Sequence, residues 1–350
     1  MQNLILLTIV FIAVLLLSLG MTALMRQYSL RKRMVDIPNE RSSHSQPTPR
    51  GGGVSITIIF ILSSFIIHSL DLISTNHLLA LSGGGLLVGL IGWLDDHYDI
   101  PAFWRAAVYL LAATWAVVWA DGMPVFHLGD LEFQLSIYGM IPAIVAIAWL
   151  TNLYNFMDGT DALAAIEAIS TAVFASVLFY LEAQTGYSLL CVILVLATTG
   201  FLYWNLPPAR IFMGDVGSCV IGFVFGTLAL IGENTATLPV AIWIILLAVF
   251  IYDATLTLLM RIFRRERWYS AHRSHAYQRL VQMGMSHGQL ALSVLFINMV
   301  FLWPLAWLVY VTPEATVMVL LVLSIIMTGI WGSIQIRFSR TGNGRKNETG

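Results

Sequence analysis

The sequence predicts an all-α membrane protein, a polytopic bundle of about eleven transmembrane helices with the N-terminus outside and the C-terminus inside. Three observations lead there. Of the 350 residues, 58% are hydrophobic and 11% charged, with a mean hydropathy of +0.80, which excludes an ordinary soluble domain and a disordered chain. Apolar stretches long enough to cross ~30 Å of hydrocarbon as helices recur along the whole chain. With the N-terminus outside, all 18 Lys and Arg fall on the inner side, as the preference of basic residues for cytoplasmic span ends requires.

In chain order the spans are expected near 4–24, 54–70, 78–94, 106–120, 137–151, 163–181, 188–204, 218–232, 238–260, 290–311 and 315–336. The first run has no positive leader and no small-residue cleavage site and is followed by Arg26, Arg31, Lys32 and Arg33, so it reads as a retained helix. The basic residues sit in loops beginning at Arg26, Arg105, Arg210 and Arg261 and in the tail from Arg337. The opposite loops carry Asp71, Asp121, Asp130, Glu132, Glu233 and Glu314 and no base. Between the fourth and fifth spans, Val125, Leu128, Leu131, Phe133 and Leu135 alternate around Gly129-Asp130, which predicts a small β-hairpin. Cys191 and Cys219 have no metal-type spacing and read as small packing residues. No internal repeat is visible. One domain over 1–336 and a mobile inner tail over 337–350 are expected.

Five polar islands interrupt the apolar runs, all on the inner side: Arg41-Ser42-Ser43-His44 with Thr48-Pro49-Arg50-Gly51-Gly52-Gly53; Asp95-Asp96-His97-Tyr98-Asp99; Asn155 to Asp161; Asn205 to Ser218; and His272-Arg273-Ser274-His275. Adjacent carboxylates repel one another and gain nothing at a lipid boundary unless a cation or a proton-transfer role holds them. On a helix end, Asp95 and Asp96 can turn oxygens into one site. Mg²⁺, an oxygen-ligated ion that bridges phosphates, suits such a set, with Mn²⁺ as a substitute. Asp158-Gly159 alone is only a turn signal, but Asp215, between Gly214 and Gly217, brings a third acidic loop. Asp215 could equally cap the following helix. The loop 261–289 holds Arg261, Arg264, Arg265, Arg267, Arg273 and Arg279, bases that either set topology or grip an anionic substrate. Asp253, inside the ninth span, either pairs with a base such as Arg261 or faces the site. Together these islands point to metal-assisted chemistry on a phosphorylated substrate at a membrane surface.

The order of these motifs resembles the bacterial polyprenyl-phosphate N-acetylhexosamine-1-phosphate transferases of glycosyl transferase family 4, which include O-antigen-initiating enzymes and phospho-MurNAc-pentapeptide translocase. The likeness runs through Pro-Thr-Pro-Arg-Gly-Gly-Gly at 47–53, Asp-Asp-x-x-Asp at 95–99, Asn-x-x-Asp-Gly-x-Asp at 155–161 and Asn-x-x-Pro-Ala-x-x-Phe-Met-Gly-Asp-x-Gly-Ser at 205–218. The resemblance implies that Asp215 is a direct Mg²⁺ ligand, with Asp95 and Asp96 at the metal and lipid-phosphate end, Asp96 also as a ligand. It implies that Asn155, Gly159, Asp161 and Phe212 line a nucleotide pocket, with Phe212 stacking on uracil, and that Asp158 and Asn205 sit beside the diphosphate. Arg50 and Arg279 join this set as substrate-binding residues, and the expected catalytic residues are Asp95, Asp96, Asp158 and His275, the last contacting the donor's phosphate or sugar. Two departures stand out: Ala162 where many members have Gly, and a single histidine, His275, once the chain is aligned on Arg279-Leu280, with Tyr277 and Gln278 in place of further histidines. His272 then lies outside the motif.

The implied reaction is transfer of an N-acetylated amino-sugar-1-phosphate from a UDP-sugar to undecaprenyl phosphate, releasing UMP and starting O-antigen or other cell-envelope polysaccharide synthesis. It would occur in the bacterial inner membrane with the N-terminus periplasmic and the site cytoplasmic. A homodimer is a further expectation and nucleic acid is not a partner. Single displacement and a covalent aspartyl intermediate both remain open. The competing classes are a polytopic transporter, which calls for mid-membrane acids, broken helices and matched halves, and a CDP-alcohol transferase, which needs its acids on one helix pair.

Overall fold

The structure is a computed structural model and describes residues 2–37, 46–266 and 272–341. It opens with α1 (Gln2–Lys32), followed by β1 (Val35–Asp36) and β2 (Thr48–Pro49), which pair antiparallel. Next come α2 (Val54–Ser69), α3 (Thr75–Tyr98, with a π-helical turn at Leu79–Gly83) and α4 (Ala102–Trp119). The hairpin β3 (Val125–Leu128) and β4 (Leu131–Gln134) precedes α5 (Ser136–Met157), α6 (Leu163–Leu181), α7 (Thr185–Asn205) and α8 (Asp215–Asn234). Last are α9 (Val240–Leu246), α10 (Ala248–Phe263), α11 (Ala276–Gln282), α12 (His287–Val311, with a π turn at Asn298–Leu302) and α13 (Pro313–Arg340).

Each of the eleven expected spans has a helical counterpart. Among the described residues, nine helices are long and apolar enough to cross a membrane, α9 with α10 makes a tenth as a bent pair, and α2 is a shorter apolar helix. The stretch read as one span at 238–260 is bent by 82° between α9 and α10. No Pro or Gly lies at the break; Leu246, Leu247 and Ala248 are all buried in the core there, so side-chain packing sets the bend. The hairpin forms as expected, with Val125 opposite Gln134 and Leu128 opposite Leu131 across Gly129-Asp130. The helix α13 continues through Arg340, and residues 342–350 of the expected tail lie outside the described residues.

The bundle is built around α8. Its span is 94% inside the protein, against 11% for α1 and for α13, which face outward along most of their length. Phe223, Phe225, Val224, Leu228 and Ile231 of α8 are fully buried, the all-round apolar character expected of a central helix. A polar clamp ties α6 to α12, where the amide of Asn298 donates to Glu167 Oε2 at 2.6 Å and to Ser170 Oγ at 2.7 Å.

At the end of the bundle opposite the acidic loops, Glu233 closes α8. Its side chain is fully buried and accepts from the His127 amide at 2.6 Å, His127 Nδ1 at 2.8 Å and the Val240 amide at 2.7 Å. One carboxylate thus fastens both the hairpin and the start of α9. Glu233→Ala should strand two half-buried amides at about 2–4 kcal/mol and lower the melting temperature by roughly 3–5 °C. Thermal unfolding of the purified variant checks this, and an unchanged melting temperature would mean that water replaces the carboxylate.

Candidate active site

The acidic site forms where three helix ends meet. Asp95 and Asp96 end α3, and Asp99 stops the helix in the left-handed conformation at φ +49°, exposed to solvent. The Asp95 carboxylate locks this end by accepting from the Ile100 amide at 2.6 Å, and its other oxygen accepts from Arg105 Nη1 at 2.6 Å. The same Arg105 nitrogen donates to Asp215 Oδ2 at 2.8 Å. Asn155 Nδ2 donates to that oxygen at 2.7 Å, while Ser218 Oγ reaches Asn155 Oδ1 at 3.4 Å.

Asp215 is the first residue of α8, and the group that caps this helix is Asp96, whose two oxygens lie 3.1 Å from the Asp215 amide and 3.5 Å from the Val216 amide. A carboxylate from one helix therefore meets the positive end of another. Gly214 makes room for it: φ is +75°, and a Cβ here would lie 2.4 Å from Asp96 Oδ2. The glycine-rich loop packs on the same end, with a Cβ on Gly53 falling 2.2 Å from the Gly217 Cα. Backbone bonds hold it there, from the Gly52 amide to the Phe212 carbonyl, the Gly53 amide to the Met213 carbonyl and the Phe212 amide to the Pro49 carbonyl. Phe212 is half-buried at this seam. Arg50 Nη2 pairs with Asp36 Oδ1 at 2.9 Å, beside the carboxylates of Asp96 and Asp215. Arg41 to His44 lie outside the described residues.

The turn 158–162 forms the second wall. Asp158 is half-buried and, among the described residues, its carboxylate has no hydrogen-bond or ion-pair partner. Burial, then the charges of Asp215, Asp96 and Asp161, push it well above the usual carboxylate range. Gly159 is exposed beside Tyr277, whose hydroxyl donates to the Phe156 carbonyl at 2.9 Å; a Cβ on Gly159 would strike that hydroxyl at 2.1 Å. Asp161 Oδ2 accepts from the Ala209 amide at 3.1 Å. Asn205 is buried with both ends of its amide engaged, accepting from the Ala162 amide at 2.8 Å and donating to the Ile211 carbonyl at 3.0 Å. It joins the 158–162 turn to the Phe212 loop.

The histidine loop lies against this wall. Asp253 accepts from the amides of Ala276 at 2.7 Å and Tyr277 at 3.0 Å, so it anchors the loop, whereas Arg261 pairs with Glu266 at 2.8 Å. His275 is buried, with its ring 6.1 Å from Phe156 and Nδ1 3.6 Å from Asp253 Oδ1. His272 lies behind it at 4.9 Å between ring centroids. Arg279 is turned to the last helix, its guanidinium 4.8 Å above the Phe338 ring.

Sequence reasoning left Arg105 as a topology marker and Asp253 unresolved. The only signal for Arg105 was a base on the acidic side at the start of the next helix. Asp253 was visible as an intramembrane acid, but its partners are backbone amides, which carry no residue code.

All donors at the centre are hard oxygens. Among the described residues, no three Asp, Glu, His or Cys side chains form a closed metal cluster. That donor set fits Mg²⁺, which takes one or two carboxylates and completes its shell with water and substrate phosphate.

A bundle of this kind with acids, amides and a guanidinium gathered at one end is a multi-pass membrane protein built for polar chemistry at the lipid boundary. Residues 78–233 match glycosyl transferase family 4. The chain is 28% identical to a probable undecaprenyl-phosphate N-acetylglucosaminyl 1-phosphate transferase of Bacillus subtilis, over 86% of this chain and 84% of the relative. It is 29% identical to a decaprenyl-phosphate N-acetylglucosaminephosphotransferase of Mycolicibacterium smegmatis, over 88% and 84%. A third relative, the undecaprenyl-phosphate alpha-N-acetylglucosaminyl 1-phosphate transferase of Salmonella typhimurium, is 29% identical over 76% and 74%. The resemblance read from the motifs therefore holds, through the family match over residues 78–233 and through relatives that align along most of their length.

Burial, then His275 and Arg261, lower the His272 imidazole to about 3, so it is neutral at neutral pH. In the unfolded chain it would take up a proton near 6.5. Stability from keeping it neutral is thus complete above that value and falls as pH drops from 6.5 toward 3. His272→Gln should flatten that decline in a melting series across the acid range, and an unchanged slope would show that His272 titrates freely.

Proposed function

We propose that this protein transfers an N-acetylated amino-sugar-1-phosphate from a UDP-sugar to undecaprenyl phosphate. UMP is released, and the lipid diphosphate sugar formed starts O-antigen or another cell-envelope polysaccharide. N-Acetylglucosamine is the sugar in the three relatives' names and the first donor to test. The observation that carries this reading is a groove of about 780 Å³ between α4, α5 and α10. It is lined by Phe103, Ala106, Leu110, Val145 and Ala148 and also by Arg105, the residue that holds Asp95 and Asp215. A polyprenyl phosphate has that chemistry, an apolar tail ending in an anion.

The acceptor's phosphate oxygen attacks the donor's β-phosphorus, and the bond from that phosphorus to the bridging oxygen breaks, so UMP leaves with the electron pair. A phosphate monoester with its second pKa near ~6 is largely ionised at neutral pH, so positioning and charge stabilisation dominate. Arg105 orients the acceptor phosphate against Asp95 and Asp96. Asn155 and Ser218 fix Asp215, Asp158 faces the diphosphate, and Phe212 lies at the uracil. His275 meets the phosphate or sugar, and Asn205 acts by holding the two loops together. Asp215 and Asp96 would hold Mg²⁺, which when bound would supply charge neutralisation to the donor's phosphates. A single displacement needs none of these carboxylates as a nucleophile.

The site faces the cytoplasm in this reading, because every base of the sequence lies at or beyond the same helix ends as the acids. The transporter alternative is weaker. The one bent span turns at apolar, buried Leu246, Leu247 and Ala248, which offer no polar solute site.

Purified protein with undecaprenyl phosphate, Mg²⁺ and UDP-sugars should release UMP only when all three are present. Asp215→Asn should remove most of that turnover without lowering the melting temperature, and near wild-type rate at limiting Mg²⁺ would overturn the assignment. His275→Ala should cost one to two decades, about 1.5–3 kcal/mol, and His272→Ala less than about threefold. For orientation, a cysteine at Asp130 should react with an impermeant thiol reagent in intact cells and one at Arg265 should not. Labelling at 265 would place the site on the wrong side for a cytosolic donor.

A further inference from the structure

The turn that carries Asp158 and Gly159 is held on its outer flank by a histidine from a distant part of the chain. His287 is the first residue of α12, after the Ser286 N-cap. That cap is closed in both directions, the Gln289 amide donating to Ser286 Oγ at 3.2 Å and the Ser286 amide to Gln289 Oε1 at 3.0 Å. It fixes where the first residue of the helix stands. His287 Nδ1 accepts from the Asp161 amide at 3.3 Å, which makes Nδ1 the unprotonated ring nitrogen; Asp161 Oδ2 lies beside it at 3.3 Å as a neighbour and not as a hydrogen-bond partner. Both side chains are nearly buried, at 14% and 9% exposure, and water therefore competes little for these contacts.

The surroundings make this more than an incidental surface contact. Asp161 Oδ2 is held on its other side by the Ala209 amide, and Ala162, at φ +64°, starts α6 with its amide on Asn205. Further along the same helix pair, Asn298 of α12 clamps Glu167 of α6. The helix α12 is thus tied to α6 at two levels, and the upper tie is the one that touches the turn. The first tie sets helix separation. The second sets the backbone of residues 158–161.

We infer that His287 is a positioning residue for the sugar-nucleotide donor: through Nδ1 it fixes the Asp158–Asp161 turn, so that Asp158 and Gly159 present one geometry to the donor diphosphate. This rests on the donor reading given above. Its effect falls on donor binding and leaves the lipid groove, which α12 does not line, untouched.

The test measures UMP release over matrices of UDP-N-acetylglucosamine and undecaprenyl phosphate for the full-length protein in detergent with Mg²⁺. His287→Ala should raise the donor KM about five- to tenfold, the upper range for the loss of one neutral hydrogen bond, with kcat and the acceptor KM within about twofold. His287→Asn places a polar atom where Nδ1 stands and should restore the donor KM to within about threefold. His287→Gln, whose amide reaches to the position of Nε2, should not. Equal rescue by Asn and Gln, an unchanged donor KM in His287→Ala, or a parallel rise of both KM values with a lowered melting temperature would each overturn the proposal. No turnover by the wild type with any UDP-sugar would overturn the donor reading itself, whereas normal wild-type turnover with an insensitive His287→Ala sinks this inference alone.

Discussion

The site depends on one guanidinium. Arg105 Nη1 stands 2.6 Å from Asp95 and 2.8 Å from Asp215, two carboxylates from helices far apart in sequence. Two such charges ~4 Å apart repel by about 4 kcal/mol at an effective dielectric near ~20. The cation offsets that repulsion, while Asp96, a third acid at the same place, is held by the amides that open α8. The charge balance of the cluster therefore depends on one residue that also lines the groove between α4, α5 and α10.

Around this centre the chain assembles walls from segments that carry little regular structure. The glycine loop at 50–53, the turn 158–162 and the loop 206–214 are joined to one another by backbone bonds and by Asn205. At a membrane boundary such irregular backbone survives only where its polar groups find partners in the protein. The high proportion of amide-to-side-chain bonds here follows from that constraint.

The scaffold places this assembly with little variation available to it. Since α8 is buried along nearly its whole length, Asp215 at its first turn is fixed by the packing of the bundle. Glu233 at its last turn does the same for the opposite face. One central helix thus links the hairpin at one end of the bundle to the acidic site at the other through the buried interior.

What the sequence determined by itself was whatever local composition encodes. Hydropathy gave the spans, because crossing hydrocarbon demands a long apolar helix wherever it occurs. Charge segregation separated the two ends. The motifs gathered Asp95, Asp96, Asn155, Asp158 and Asp215 as one set, since acids at a lipid boundary need a common cause. The tertiary structure alone decided which partner each polar group has. It made Asp96 the cap of α8, gave Asp253 to the amides of Ala276 and Tyr277, turned Arg279 to Phe338, engaged Asn205 wholly in backbone, and bent the span at Leu247 by 82°. These are contacts across tens to hundreds of residues, often to backbone atoms that every residue shares, and no local pattern of side chains distinguishes them before the chain has packed.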